Sequence, residues 1–284
     1  MKKIPKGSKA GIVCCSNGQQ RRYENEVKLL GNTLQKLGLQ PVFSPFIYEK
    51  EQVFSGTGRE RAESLMEFYR DHEIAVIFDI SGGDIANEVL PFLDFSLIGE
   101  SEKNFWGYSD LTTIINSIYA KTGKSSVLYQ VRNLIYQEKE VQQADFLDTV
   151  LGDGKKLFEF QYEFVQHKEM GGVVVGGNIR CLLKLAGTPY WPDMKGKILL
   201  LESLGGTIPQ MVTYLNQLAQ IGALEEINGL ILGTFTKLEE EGQKPGIVDL
   251  ARQYVKDGLP IVKTQKIGHG EDAKGIVIGE EIVL

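Results

Sequence analysis

What most limits the folds open to this chain is an alternation that repeats along its length. Short runs of branched apolar residues are separated by longer stretches of helical period. IAVIFDI (74–80) and ILLLE (198–202) show no polar residue at every second position, so strands made from them must be covered on both faces. Between such runs Tyr23, Val27, Leu30, Leu34 and Leu37 recur every three or four residues, as do Ala62, Leu65, Met66 and Tyr69. Strands alternating with amphipathic helices predict α/β architecture, with helices packed on mostly parallel sheets. At roughly 150 residues per domain, 284 residues suggest two domains. The pattern divides the chain into an N-terminal α/β domain (1–130), a polar connector without a clean period but with some helix of its own (131–171) and a C-terminal α/β domain (172–284). The last is expected to contain strands at 173–178, 197–202, 229–233, 260–264 and 275–279, with a helix marked by Ile208, Met211, Val212, Leu215 and Leu218.

Composition removes several classes of function. The formal charge is −6 and no dense Lys/Arg stripe occurs, so a nucleic-acid partner is not expected. No apolar run approaches the ~18 residues of a membrane helix. The basic N-terminus is followed by an apolar stretch of only Ile12–Cys15, too short for a secretory signal. The three cysteines, Cys14, Cys15 and Cys181, cannot all pair, which favours reduced thiols in the cytoplasm. With histidine only at 72, 167 and 269 and neither CxxC nor HExxH, no metal is expected. No G-x-G-x-x-G follows a strand, and Gly123-Lys124-Ser125 ends a helix where a phosphate loop would open one, so no cofactor is expected either.

Candidate chemistry gathers at predicted strand ends. In NFWGYSDLTTIINSIYAKTG (104–123), Ser109 stands between a strand and a helix. There its hydroxyl is lifted from the sheet, and the N–H groups after it belong to a helix start able to hold an oxyanion. The same position also suits a capping serine, and the full G-x-S-x-G pattern is broken by Leu111. His269, in the glycine-flanked loop of KIGHGEDAKG, is the histidine best placed to act as a base. Glu202, at the end of ILLLE, could orient that histidine or cap the following helix. In ISGGDIANEVLPFLD (80–94), Gly82 and Gly83 follow the central strand; they make either a tight turn into a helix capped by Asp84 or an oxyanion site with the Gly83 N–H as donor beside that of Asp110.

The ordered set GGDIANEVLPFLDF, GYSDLTTIINSIYAKTG, GGNIRCLLKLAGTPYWPD, KGKILLLE, IGHG and IVIG resembles the LD-carboxypeptidase-like serine peptidases, a family that includes immunity proteins against microcin C. The resemblance implies two α/β domains with the active site at their junction. It implies a Ser-His-Glu triad of Ser109, His269 and Glu202, and an oxyanion hole from the N–H groups of Gly83 and Asp110. Gly82 and Asn178 would lie at the substrate site. A cytoplasmic homodimer without metal is implied, acting on a small peptide or peptidyl-nucleotide. Two departures stand out: Ser81 replaces the arginine usual before the glycine pair in murein-recycling members, and Tyr129-Gln130-Val131-Arg132 replaces a common His-Gly-Pro. Three functions follow. They are cleavage of the L-D bond before a terminal D-amino acid in murein peptides, microcin-type self-immunity, and a catalytically silent ligand-binding protein on the same scaffold.

Overall fold

The computed structural model describes residues 3–284. Twelve strands are formed: β1 (Lys9–Val13), β2 (Gln40–Phe43), β3 (Ile74–Asp79), β4 (Asn104–Gly107), β5 (Ser126–Leu128), β6 (Glu163–Gln166), β7 (Gly171–Asn178), β8 (Ile198–Ser203), β9 (Gly229–Phe235), β10 (Ile261–Lys263), β11 (Ile276–Ile278) and β12 (Glu281–Val283). They make two six-stranded sheets, ordered β11-β5-β4-β3-β1-β2 and β12-β7-β8-β9-β10-β6. β1 to β5 are mutually parallel, as are β7 to β10, and the antiparallel strands β11, β12 and β6 lie at sheet edges. β3, β8 and β9, the most apolar runs, fall in sheet interiors, where helices cover both faces. Pro41 places β2 at an edge, since an N–H-less residue is tolerated there.

Local signals start and stop the helices. Thr57 and Glu60 form a reciprocal capping box on the helix Gly58–Arg70. Gly38 and Gly123, both left-handed, end the helices Glu24–Leu37 and Thr112–Thr122.

One expectation needs correction. The run 275–279 does not complete the second unit: β11 pairs with β5 in the first sheet, Ile276 opposite Leu128. β12 follows two residues later and pairs with β7 in the second. The end of the chain therefore stitches both sheets together. The connector 131–171 has helix of its own, as expected, and also contributes to the core. It carries a helix (Lys139–Phe146) continued by a π-type turn (Leu147–Leu151), and it buries Phe146, Val150 and Leu157 completely against the first sheet.

The two sheets share one core. Ile114 and Ile118, from the helix Thr112–Thr122, pack in the same cluster as Val174, Leu200, Ile231 and Val262 of the second sheet. That helix is also clamped to β7 by polar bonds. Asn116 Nδ2 donates to the Gly176 carbonyl (2.9 Å), and its Oδ1 accepts from the Gly176 N–H (2.8 Å). Thr112 Oγ1 accepts from the Asn178 N–H (3.0 Å). So close an approach requires glycine at 177, because a Cβ there would stand 2.7 Å from Thr112 Oγ1.

Candidate active site

β4 delivers the first element of the site. At Gly107 a Cβ would fall 2.6 Å from Leu111 Cβ, so the chain can fold back tightly as it leaves the sheet. Tyr108 is extended, whereas Ser109 is left-handed with φ 55°. That conformation costs an L-residue with a side chain about 1–2 kcal/mol. A 3-10 turn, Ser109–Leu111, then runs into the helix Thr112–Thr122, and neither element receives a side-chain cap bond. The capping reading of Ser109 is therefore not met; the strained turn instead presents the hydroxyl toward the glycine pair. A Cβ built on Gly82 would lie 4.0 Å from Ser109 Oγ.

The glycine pair is held from below. Asp79, at the end of β3, accepts from the Ser81 N–H (2.8 Å), Ser81 Oγ (2.6 Å) and the Cys15 N–H (2.8 Å). Burial pushes the Asp79 carboxyl above its ordinary pKa, and these donors offset part of the rise. Ser81 Oγ also accepts from the Ser16 N–H, so Ser81 serves as a buried strut between two loops. Gly83 has φ 119°, and Asn17 fills the space a Cβ would need. Asp84 does not cap the next turn, whose cap position is Ile85; it pairs with Arg180, in the short helix after β7.

The second sheet contributes Glu202 and His269. Glu202, fully buried near the end of β8, takes the imidazole Nδ1 at 2.7 Å on Oε2. A carboxylate offers only lone pairs, so Nδ1 carries the proton and Nε2 is left as the acceptor. Glu202 does not cap the helix Ile208–Gln220; Thr207 and Gln210 form a capping box there. Thr234 Oγ1 accepts from the His269 N–H (3.3 Å) and steadies the loop. Gly233 must be glycine, because its Cβ would meet the Ile267 carbonyl at 2.3 Å and Glu202 Cβ at 3.0 Å.

Tyr108 joins the two halves. Its ring meets the imidazole edge-on, centroids 4.5 Å apart, and its hydroxyl makes a long bond to Glu202 Oε2 (3.4 Å). Burial, and then the Glu202 charge, push the phenol pKa well up, so it stays a donor. Glu202 Oε1 and His269 Nε2 are buried without a hydrogen-bond partner. The structure thus brings Glu202 and His269 into contact and sets Ser109 beside the aromatic residue that packs on the imidazole. No Ser109–His269 hydrogen bond is formed.

Asp110 is buried, and its carboxylate knits the surrounding loops. Oδ2 accepts from Ser16 Oγ (2.7 Å) and the Ala86 N–H (2.8 Å), and Oδ1 pairs with Lys184. Lys184 also donates to the Asp84 carbonyl (2.8 Å), and Arg180 Nη2 donates to the Gly83 carbonyl (3.1 Å). Asn178 caps the short helix Ile179–Leu183 through Oδ1. Sequence reasoning missed Tyr108, Asn116 and Lys184. A signal existed for the last: Arg180 and Lys184 stand four apart, one turn of helix, directly after the glycine pair of β7. His72 and His167 lie in a turn before β3 and just after β6.

Comparison with known proteins places the chain in a family and a fold. The LD-carboxypeptidase N-terminal domain matches residues 10–129, and the LD-carboxypeptidase C-terminal domain matches 171–284. A probable murein peptide carboxypeptidase of Bacillus subtilis is 26% identical over 297 residues, covering 100% of this chain and 90% of the relative. The microcin C7 self-immunity protein MccF of Escherichia coli is 25% identical, with 88% of this chain and 83% of that protein covered. A solved structure of MccF in complex with aspartyl sulfamoyl adenosine superposes with TM-score 0.89 at 20% identity, covering 99% of this chain and 94% of the other, and so shares the fold. The two domain matches follow one another in order across most of the chain, which therefore belongs to the LD-carboxypeptidase family.

Proposed function

We propose that this chain is a serine hydrolase of LD-carboxypeptidase type, cutting the L-D peptide bond before a terminal D-amino acid in murein peptides. The supporting observation is the Glu202–His269 pair: a buried carboxylate fixes Nδ1 as the donor and leaves a buried, unpartnered Nε2 next to the turn that strains Ser109. In this reading Ser109 Oγ attacks the carbonyl carbon while its proton passes to His269 Nε2. The carbonyl electron pair moves onto oxygen and is held by the N–H groups of Gly83 and Asp110. Collapse breaks the C–N bond, and the imidazolium returns its proton to the departing amine. Water, deprotonated by the same imidazole, then cleaves the acyl ester and frees Ser109. Gly82, with no side chain, leaves room beside the hydroxyl, and Asn178 supports the site from the other sheet.

A second reading, microcin-type immunity, keeps these steps and changes the substrate to a peptidyl-nucleotide. Ser81 favours it, since the arginine usual in murein-recycling members is absent and its place is taken by a buried strut. Incubation with a murein tetrapeptide and, separately, with processed microcin C decides between them. Release of D-alanine from the tetrapeptide is expected; consumption of the microcin alone would overturn the murein assignment. The reading also includes a cytoplasmic homodimer. The three cysteines are buried, and burial is the leading cause that raises each thiol's pKa, which suits a reducing compartment.

A further inference from the structure

The parallel strands of the first sheet end along one edge in the order β5, β4, β3, β1. Ser109 follows β4, the glycine pair follows β3, and Gln19 lies in the loop after β1. The turn after β5, Val131–Ile135, supplies a half-buried arginine, Arg132. Its Nη1 donates to Gln19 Oε1 (3.3 Å), and Gln19 Nε2 in turn donates to the Ile80 carbonyl at the exit of β3 (2.9 Å). Neighbouring strands are about 4.8 Å apart, so a reach from the end of β5 to that of β3 spans about two strand spacings. β4, whose exit turns into Ser109, lies between those two strands in the sheet. The next residue, Asn133, donates to the Gly270 carbonyl (3.3 Å) and ties the same turn to the His269 loop.

Buried Arg61 pairs with Glu88, and half-buried Arg180 pairs with Asp84. The guanidinium of Arg132 is held by two neutral amide oxygens, those of Gln19 and Gln130. An arginine fork has five N–H donors, so most of this one is unused. Glutamine oxygens orient such a fork without neutralising it, leaving a planar cation suited to a carboxylate.

We infer that Arg132 binds the free α-carboxylate of the substrate's terminal residue and so selects peptides whose scissile bond lies next to a chain end. This rests on the hydrolase reading and adds to it the residue that recognises the terminus. Two synthetic murein-type peptides test it, identical except that one ends in D-alanine and the other in D-alanine amide. The wild type is expected to prefer the acid strongly. In Arg132→Gln the acid-to-amide ratio of kcat/KM should fall about ten- to a hundredfold, the range of a charged hydrogen bond. The fall should appear mainly in KM for the acid, with a much smaller effect on the amide. Arg132→Lys, which keeps the charge without the fork, should recover part of the ratio. A wild-type ratio in Arg132→Gln, equal loss on both peptides, or no acid preference in the wild type would overturn the assignment and leave the hydrolase reading standing. Cleavage of neither peptide by the wild type would remove that reading and this one with it.

Discussion

Ser109→Ala is expected to reduce kcat on the cleaved peptide about 10⁴- to 10⁶-fold with the folded structure retained, the scale of removing a serine nucleophile. The side chain makes no cap bond, so its hydroxyl can be deleted without freeing a helix end. What holds the turn lies elsewhere: the Asp110 carboxylate bound to Ser16, Ala86 and Lys184, and the close packing of Gly107 on Leu111. A companion variant separates strain from chemistry. Ser109→Gly removes the same hydroxyl but accepts φ 55° freely, so it should be more stable than Ser109→Ala by about 1 kcal/mol in chemical denaturation, and equally inactive. An Ala variant with substantial turnover, or a Gly variant less stable than Ala, would contradict the roles given to this turn.

Glu202→Gln is expected to lower kcat about 10³- to 10⁴-fold, close to the effect of neutralising the acid of a Ser-His-Asp triad. Glu202 is wholly buried, and its Oε2 fixes the imidazole while Oε1 meets no donor. Glutamine fills the same volume, so the loop should keep its place. It removes the charge that stabilises the imidazolium and can present an N–H toward Nδ1, turning the ring to the wrong tautomer. The effect should fall on kcat and leave KM nearly unchanged, because the residue contacts histidine and not substrate. Tyr108→Phe is the control: it removes only a 3.4 Å bond to the same oxygen and keeps the ring against His269, so its loss should stay within about tenfold.

Much of this molecule was legible in its residues because the informative features are local. IAVIFDI and ILLLE announce strands covered on both faces, and Gly38 and Gly123 stop helices as left-handed caps. Ser109, Glu202 and His269 could be picked out because each stands where a strand or glycine-flanked loop leaves a side chain at a sheet's carboxyl edge. What remained illegible depends on contacts distant in sequence. GIVIG has the composition of any short strand, and nothing local says that it pairs with Leu128 and not within the second sheet. The core packing of segment 131–171 was not legible, because its 3-10 and π-type turns break the helical period, although Phe146 and Leu157 are as buried as any core residue. Asp84 seemed a cap and is an ion-pair partner, a choice made by Arg180 almost a hundred residues away. The clamp of Asn116 on Gly176 is a register between two lobes, visible only once both are built.

The hydrolase proposal stands or falls on Ser109 being a nucleophile driven by His269. Its most direct test is treatment of the intact protein with a fluorophosphonate, followed by mass spectrometry of the digested chain. One phosphonyl adduct is expected, on the peptide containing Ser109, with labelling slowed at least about a hundredfold in His269→Ala. No adduct on Ser109 in protein that still hydrolyses its peptide, or labelling that proceeds equally fast without the imidazole, would contradict it.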